Sequence, residues 1–234
     1  SDAKALLKLR VSEDVFAVAA RGFSIAPDAQ GLRQIHAAVR NSRLVGDAVE
    51  AWKRVAGERR VNATFRLVVR QVGQQRYRRR EIGQAVSDAV QIGWPGRWRR
   101  VDEGADIELW VSLLGNELLC GVRLSDASMR HSRGPGATTE SWQHLPASLR
   151  PALAAGMVLL TVPDADDVFL DPMAGSGTLL AERAAAGPFQ QLYGGDTDRQ
   201  VVKVLQANTS HLPGKVQCEH WDARDLPLDD ASVN

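Results

Sequence analysis

Val168-Phe-Leu-Asp-Pro-Met-Ala-Gly-Ser-Gly-Thr178 is the stretch from which the fold is read. Val168-Phe169-Leu170 is a short apolar run of strand formers, ended by Asp171-Pro172. Ala174-Gly175-Ser176-Gly177 is a turn that only small residues can make, and Thr178 through Ala184 reads as a helix. A buried strand, a glycine turn and a helix N-terminus form the nucleotide-cradling unit of doubly wound α/β folds. Glycines let the backbone approach a ligand closely, and the helix start offers unpaired N–H groups.

The residues around the turn narrow the ligand. A P-loop needs Lys before the Ser or Thr, and here Gly177 is followed directly by Thr178. A dinucleotide fingerprint needs glycine where Leu180 stands. Asp171 at the strand end suits a cation better than a pyrophosphate. S-adenosylmethionine carries an ammonium and a sulfonium, so an acidic strand end is electrostatically apt. The next strand, Gln191 to Gly195, leads to Asp196, 19 positions after Gly177, where a carboxylate can accept both ribose hydroxyls. Val216 to Trp221 ends at Asp222, a third acidic strand end; it can accept the adenine amino group, with the Ala223 N–H on a ring nitrogen. Asp198 competes with Asp196 for the ribose but reads better as the cap of the following helix.

With 234 residues, 44% of them hydrophobic, and a net charge of +1, the composition is that of an ordinary globular chain with one large or two modest domains. No apolar run approaches the ~20 residues that span a bilayer, and no signal peptide is visible. Cys120 and Cys218 suggest a reducing compartment, the cytoplasm, rather than a disulfide framework. Neither they nor His131, His144, His211 and His220 show metal-ligand spacing.

The near-neutral total conceals an asymmetry. Residues 40–100 carry 15 Arg/Lys against 5 Asp/Glu, whereas residues 161–234 carry 5 against 12. A basic front and an acidic back suit a nucleic-acid-holding part joined to one that binds a cationic cofactor. Arg76, Arg78, Arg79 and Arg80 are the candidate RNA contacts, with Tyr77 offering a stacking option; Arg123 and Arg130 are weaker candidates. Trp94 and Trp98, although flanked by arginines, read as core.

Other elements follow from periodicity. Helical spacing runs over residues 30–56 with an interruption at Asn41-Ser42. Thr64 to Arg70 is a strand, a helix passes through Ile82, Val86 and Val90, and two strands pair across Gly115-Asn116 as a hairpin. A last helix, from about Ala147 to Leu160, precedes the opening stretch.

Asp171-Pro-Met-Ala-Gly-Ser-Gly-Thr178 resembles the first motif of class I methyltransferases that modify exocyclic amines of nucleic acids. With Leu145-Pro-Ala-Ser-Leu-Arg-Pro151 before it and Trp221-Asp-Ala-Arg-Asp-Leu-Pro-Leu228 after it, the chain is similar to the THUMP-domain RNA guanine-N2 methyltransferases, especially those acting on tRNA. The resemblance runs from about residue 30 to the end and is specific in the methyltransferase motifs. It implies an α/β fold with a THUMP-like domain followed by a Rossmann-like, doubly wound methyltransferase domain that is truncated. Residues 1–29 are then the remnant of a ferredoxin-like region, 30–127 a THUMP domain, 128–146 a linker and 147–234 the start of the methyltransferase domain. The implied cofactor is S-adenosylmethionine, held by Asp171, Pro172, Met173, Ala174, Gly175, Gly177, Thr178, Asp196, Asp222 and Ala223. The implied partner is tRNA or another structured RNA, without membrane or metal. Ribosomal RNA or DNA as substrate, and a non-catalytic RNA-binding module, are the alternative readings.

Such enzymes take their catalytic acceptors from an Asn/Asp-Pro-Pro-aromatic loop after the fourth strand. Asn234 comes several residues too early for that loop, so no catalytic residue is nominated; were this the whole protein, it would be expected to bind cofactor poorly and to catalyse nothing.

Overall fold

The computed structural model describes residues 10–57, 64–125, 129 and 142–234. The chain divides into two compact units, one of residues 14–126 with 1–8, the other of residues 127–234 with the short segment 9–13.

The first unit is a five-stranded sheet with helices on one face. Its elements are β1 (Phe16–Gly22), α1 (Ala29–Arg40), α2 (Val45–Ala56), β2 (Thr64–Val72), α3 (Arg79–Gly93), β3 (Arg99–Arg100), β4 (Ile107–Leu114) and β5 (Glu117–Arg123). The strand order is β1-β5-β4-β2-β3. β2 runs parallel to β4 and β3, while β5 is antiparallel to both β4 and β1. The alternation seen in the sequence of β4 has its structural counterpart: Ile107, Leu109, Val111 and Leu113 are buried and their neighbours are not. They pack with Ile35, Val39, Ile82, Val86 and Val90 from the helices into one core. The break at Asn41-Ser42 is the α1–α2 corner, where the Ser42 hydroxyl donates to the Ala19 carbonyl. Gly115 turns the β4–β5 hairpin with φ 59°.

Two expected boundaries move. Residues 16–22 are no separate remnant, because β1 is the edge strand of this sheet, with Phe16 opposite Arg123; residues 1–9 of the expected remnant lie outside the described residues. The linker expected to reach residue 146 stops sooner. Trp142 is buried in the second unit's core, and Gln143 is held there through both its N–H and its carbonyl by Asn208.

The second unit holds α4 (Pro151–Leu160), β6 (Val168–Asp171), α5 (Thr178–Ala186), β7 (Gln191–Asp196), α6 (Arg199–Thr209) and β8 (Val216–His220). β6, β7 and β8 are parallel and lie in that order, which requires a crossover helix between successive strands. α4 starts at Pro151, whose missing N–H costs nothing at the first helical position, and is shorter at its start than its sequence reading. Leu180, Ala181 and Ala184 of α5 join Leu205 of α6, Leu192 of β7 and Cys218 of β8 in the second core.

α5 also buries two charges. Arg183 is fully enclosed; it pairs with Asp167 at 2.8 Å and donates to the carbonyls of Asp164, Gly187 and Pro188. Glu182, 2% exposed, takes both ends of the Arg10 guanidinium at 2.6 and 2.7 Å. Among the described residues both cysteines are buried and free, and no helix is long and apolar enough to cross a membrane.

Candidate functional site

At the carboxyl ends of β6 and β7 lies a pocket of about 550 Å³. Open parallel sheets bind ligands at this end, where strands hand over to helix N-termini. Asp171 closes β6 and Asp196 closes β7 one strand away, so both carboxylates reach the same space. Between them the turn from Met173 to Ser176 and the first residues of α5, Thr178 and Leu179, form the floor.

Gly177 caps α5 in the left-handed conformation (φ 87°), which turns the chain sharply from loop to helix. A Cβ there would stand 2.9 Å from Leu205 Cδ1 and 3.1 Å from Thr209 Cγ2, so α6 also demands glycine. The Ala174 N–H donates to the Gly195 carbonyl and the Gly175 N–H to the Asp196 carboxylate, tying the turn to the tip of β7. Asp196 further accepts the Asp198 N–H, while Asp198 caps α6 through the Gln200 N–H.

The electrostatics are those of a site short of positive charge. Among the described residues neither Asp171 nor Asp196 has a Lys or Arg partner. Burial foremost, and the nearby Asp196 charge, push Asp171 above the ordinary carboxylate range, against the opposing pull of the Met173 N–H. A cation entering between the two would relieve both effects.

The opposite wall comes from Leu145 to Leu149. Ser148 does not cap the helix, a place taken by Arg150. It closes a turn on Leu145 instead, and its hydroxyl lies 3.1 Å from that of Ser176. Asn208 of α6, 1% exposed, accepts the Gln143 N–H and donates to the carbonyls of Gln143 and Ser176. One buried amide thus fastens the start of the wall to the glycine turn.

Of the residues expected to hold the cofactor, Asp171, Met173, Ala174, Gly175, Thr178 and Asp196 line this pocket, whereas Pro172 and Gly177 shape the turn without lining it. Asp222 and Ala223 follow β8 outside it. Asp222 is engaged by Arg224, whose guanidinium and N–H both bond the carboxylate and hold it down at a pKa of about 2. The sequence reading missed Ser176, Leu179 and Val201 as lining residues and Asn208 as the clamp. A signal existed for Asn208, a poor helix former on the buried side of α6. Asn234 bonds Val168 through its N–H and its side chain, at the start of β6, so it lies at the far end of the strand from the pocket.

The RNA candidates separate in the same way. Arg76, Arg78, Arg79 and Arg80 are exposed at the start of α3. Tyr77 between them is no stacking platform. Only 4% exposed, it packs in the core and donates its hydroxyl to the Ala26 carbonyl. Trp94 and Trp98 are core residues as well, meeting edge to face. Arg123 is largely buried between Asp14 and Glu108, which removes it as a phosphate contact. Arg130 lies outside the described residues.

Comparison with known proteins agrees with this geometry. Residues 142–234 match the family described as RMKL-like, methyltransferase domain. The tRNA (guanine(6)-N(2))-methyltransferase THUMP3 of Mus musculus is 27% identical over 214 residues, covering 82% of this chain and 40% of that protein. The tRNA (guanine(6)-N2)-methyltransferase of Thermus thermophilus is 27% identical over 168 residues, 64% of this chain and 47% of the relative. The chain therefore spans less than half the length of these relatives. In fold it is similar to TrmN from Thermus thermophilus (TM-score 0.63, 24% identity, 95% of this chain and 60% of that one). It is also similar to SMU.472 complexed with SAH (TM-score 0.58, 15% identity, 93% of this chain and 64% of that one). The strand–turn–helix unit thus has the fold of class I methyltransferases, and residues 142–234 are similar in sequence to the RMKL-like methyltransferase domain family.

Proposed function

We propose that the chain is part of an S-adenosylmethionine-dependent enzyme that methylates the exocyclic N2 of guanine in tRNA. The first unit acts as a THUMP-type RNA-holding domain, and the second builds the cofactor half of the active site. The observation that carries the reading is the pair Asp171 and Asp196, two carboxylates without cationic partners among the described residues, facing one pocket at neighbouring strand ends. Asp196 would accept the ribose hydroxyls and Asp171 the cofactor's ammonium, while the start of α5 offers N–H donors. The cofactor supplies an electrophilic methyl group. The chain's own residues bind and orient it, and the wall from Leu145 to Leu149 keeps water from one side. The choice of tRNA and of guanine N2 is supported by the names of the relatives and by the basic balance of residues 40–100.

Calorimetric titration of the full-length protein with S-adenosylhomocysteine is the test. Asp196→Ala removes two charge-assisted hydrogen bonds, each worth about 1.5–3 kcal/mol, so affinity should fall by at least about tenfold. Equal binding by wild type and variant would remove the cofactor assignment.

A further inference from the structure

A short strap near the start of the chain packs with the second unit. Arg10 to Glu13 belong to that unit, although the rest of it starts at residue 127, whereas Asp14 and β1 belong to the first. Both ends of the strap carry charge, and each end holds a different element beside the pocket. Arg10 reaches Glu182 of α5 with two parallel bonds, Nε to Oε2 at 2.6 Å and Nη2 to Oε1 at 2.7 Å. Glu13 lies 3.4 Å from the guanidinium of Arg150, the N-cap residue of α4 at the end of the pocket wall.

The two pairs are not equal. The Glu182 side chain is 1% exposed and that of Arg10 35%, so theirs is a largely desolvated, bidentate pair. Arg150 is exposed, and water screens its pair with Glu13. Glu182 has no second cation to turn to. Arg183 beside it is spent on Asp167 and on the carbonyls of Asp164, Gly187 and Pro188. α4, which packs against α5, contains no charged residue. Among the described residues no Lys or Arg other than Arg10 bonds Glu182. A carboxylate buried there without a partner is costly, and that cost keeps the strap docked.

Glu182 stands four residues beyond Thr178, one helical turn on and on the same face of α5. Thr178 lines the pocket, and its hydroxyl is 3.3 Å from that of Ser176, which is 3.1 Å from that of Ser148 on the wall. A row of hydroxyls thus crosses from the start of α5 to the wall, and Glu182 seats its α5 end. We infer that Arg10 is a positioning residue for the cofactor: by holding Glu182 it sets where the first turn of α5 meets the wall, and so the width of the pocket. The inference rests on the proposed cofactor and deepens it with a residue far outside the stretch, 142–234, that matches the methyltransferase family.

Urea denaturation and calorimetry with S-adenosylhomocysteine test it on the full-length protein, the latter at a temperature where circular dichroism shows each variant folded. Arg10→Ala strands the Glu182 carboxylate, so stability should drop and affinity fall by at least about fivefold, the low end of ordinary coupling between separated sites. Arg10→Ala/Glu182→Gln removes the stranded charge without restoring the grip. Its urea midpoint should return toward wild type while its affinity stays at least about fivefold low. Arg10→Lys keeps the charge but loses the planar fork, and should bind with intermediate affinity. Hydrogen exchange of the ligand-free double variant should quicken at residues 145–149 and in the first turns of α5, and stay unchanged in β8. If affinity in the double variant recovers together with stability, Arg10 is a structural residue alone, and the inference falls while the cofactor reading stands. Exchange that quickens equally across the second unit overturns it as well. If wild type binds no S-adenosylhomocysteine, the cofactor reading itself fails and takes the inference with it.

Discussion

Gly177→Ala isolates what the glycine turn contributes to the second unit. Gly177 sits at φ 87°, a conformation that costs a residue with a Cβ about 1–2 kcal/mol. The added methyl would stand 2.9 Å from Leu205 Cδ1 and 3.1 Å from Thr209 Cγ2, both on fully or nearly buried side chains of α6. Overpacking of that kind costs about 1–3 kcal/mol, so the substitution should destabilise by roughly 2–5 kcal/mol. Gly175 provides the internal control. Its φ is also positive, at 53°, but nothing lies within 4 Å of where its Cβ would stand, so Gly175→Ala bears backbone strain alone. Part of that is offset by about 0.4–1 kcal/mol from the stiffer unfolded chain. Urea denaturation of the ligand-free protein, followed by circular dichroism, should show the Gly177→Ala midpoint lowest, by about 1 M or more at ordinary m-values. Leu205→Val in the Gly177→Ala background removes the clashing Cδ1 and should recover part of the loss. Equal midpoints for the two alanine variants, or a lower one for Gly175→Ala, would refute the packing argument.

Asp171 should give the ligand-free protein an inverse pH signature. Its folded pKa is raised by burial and by Asp196, so its ionisation costs stability as pH rises from the unfolded value through the folded one. Asp171→Asn should therefore be more stable than wild type at neutral pH in thermal melts, yet bind S-adenosylhomocysteine more weakly; a destabilised variant would contradict the burial argument. Asn208→Ala leaves the Gln143 N–H and two carbonyls without partners, a loss of about 3 kcal/mol, and should also weaken cofactor binding by loosening the pocket wall. Calorimetry at a temperature where the variant is fully folded would separate the two effects, and unchanged affinity there would leave Asn208 a purely structural residue. Arg183→Met strands the carboxylate of Asp167 and should cost about 3–5 kcal/mol in chemical denaturation, against less than about 1 kcal/mol for Lys53→Met, which breaks a surface pair with the exposed Glu50.

What could be read from the sequence was what depends on near neighbours. The helix pair broken at Asn41-Ser42, the Gly115 hairpin and the strand–glycine–helix unit each need only residues a few positions apart. β1 was not legible because its partner, β5, lies about a hundred residues on, and an irregularity between Val18 and Ala20 interrupts its alternation. Tyr77 was misread because the arginines around it advertise a wet loop, while its own ring enters the core and reaches the Ala26 carbonyl. Trp142 was lost in a stretch that lacks periodicity, although one large apolar side chain beside a buried asparagine is enough to anchor it.

The three strand-end aspartates make the same point about function. Asp171, Asp196 and Asp222 are equivalent in the sequence reading, each at or just past the end of a parallel strand, yet their surroundings give them different chemistry. Asp171 and Asp196 meet in one pocket, where the Asp196 charge adds to the cost of ionising Asp171 and neither finds a cation among the described residues. Asp222 has Arg224 two residues on, and that guanidinium folds back over both carboxylate oxygens. Water screens an exposed pair of this kind and holding two side chains in one geometry costs entropy, so a ligand that offers Asp222 a better donor can displace Arg224 readily. No such neighbour stands ready for Asp171 and Asp196. A cation supplied from outside would meet their need, which is why the pocket between them, rather than the count of acidic strand ends, is where we propose that a cationic cofactor binds.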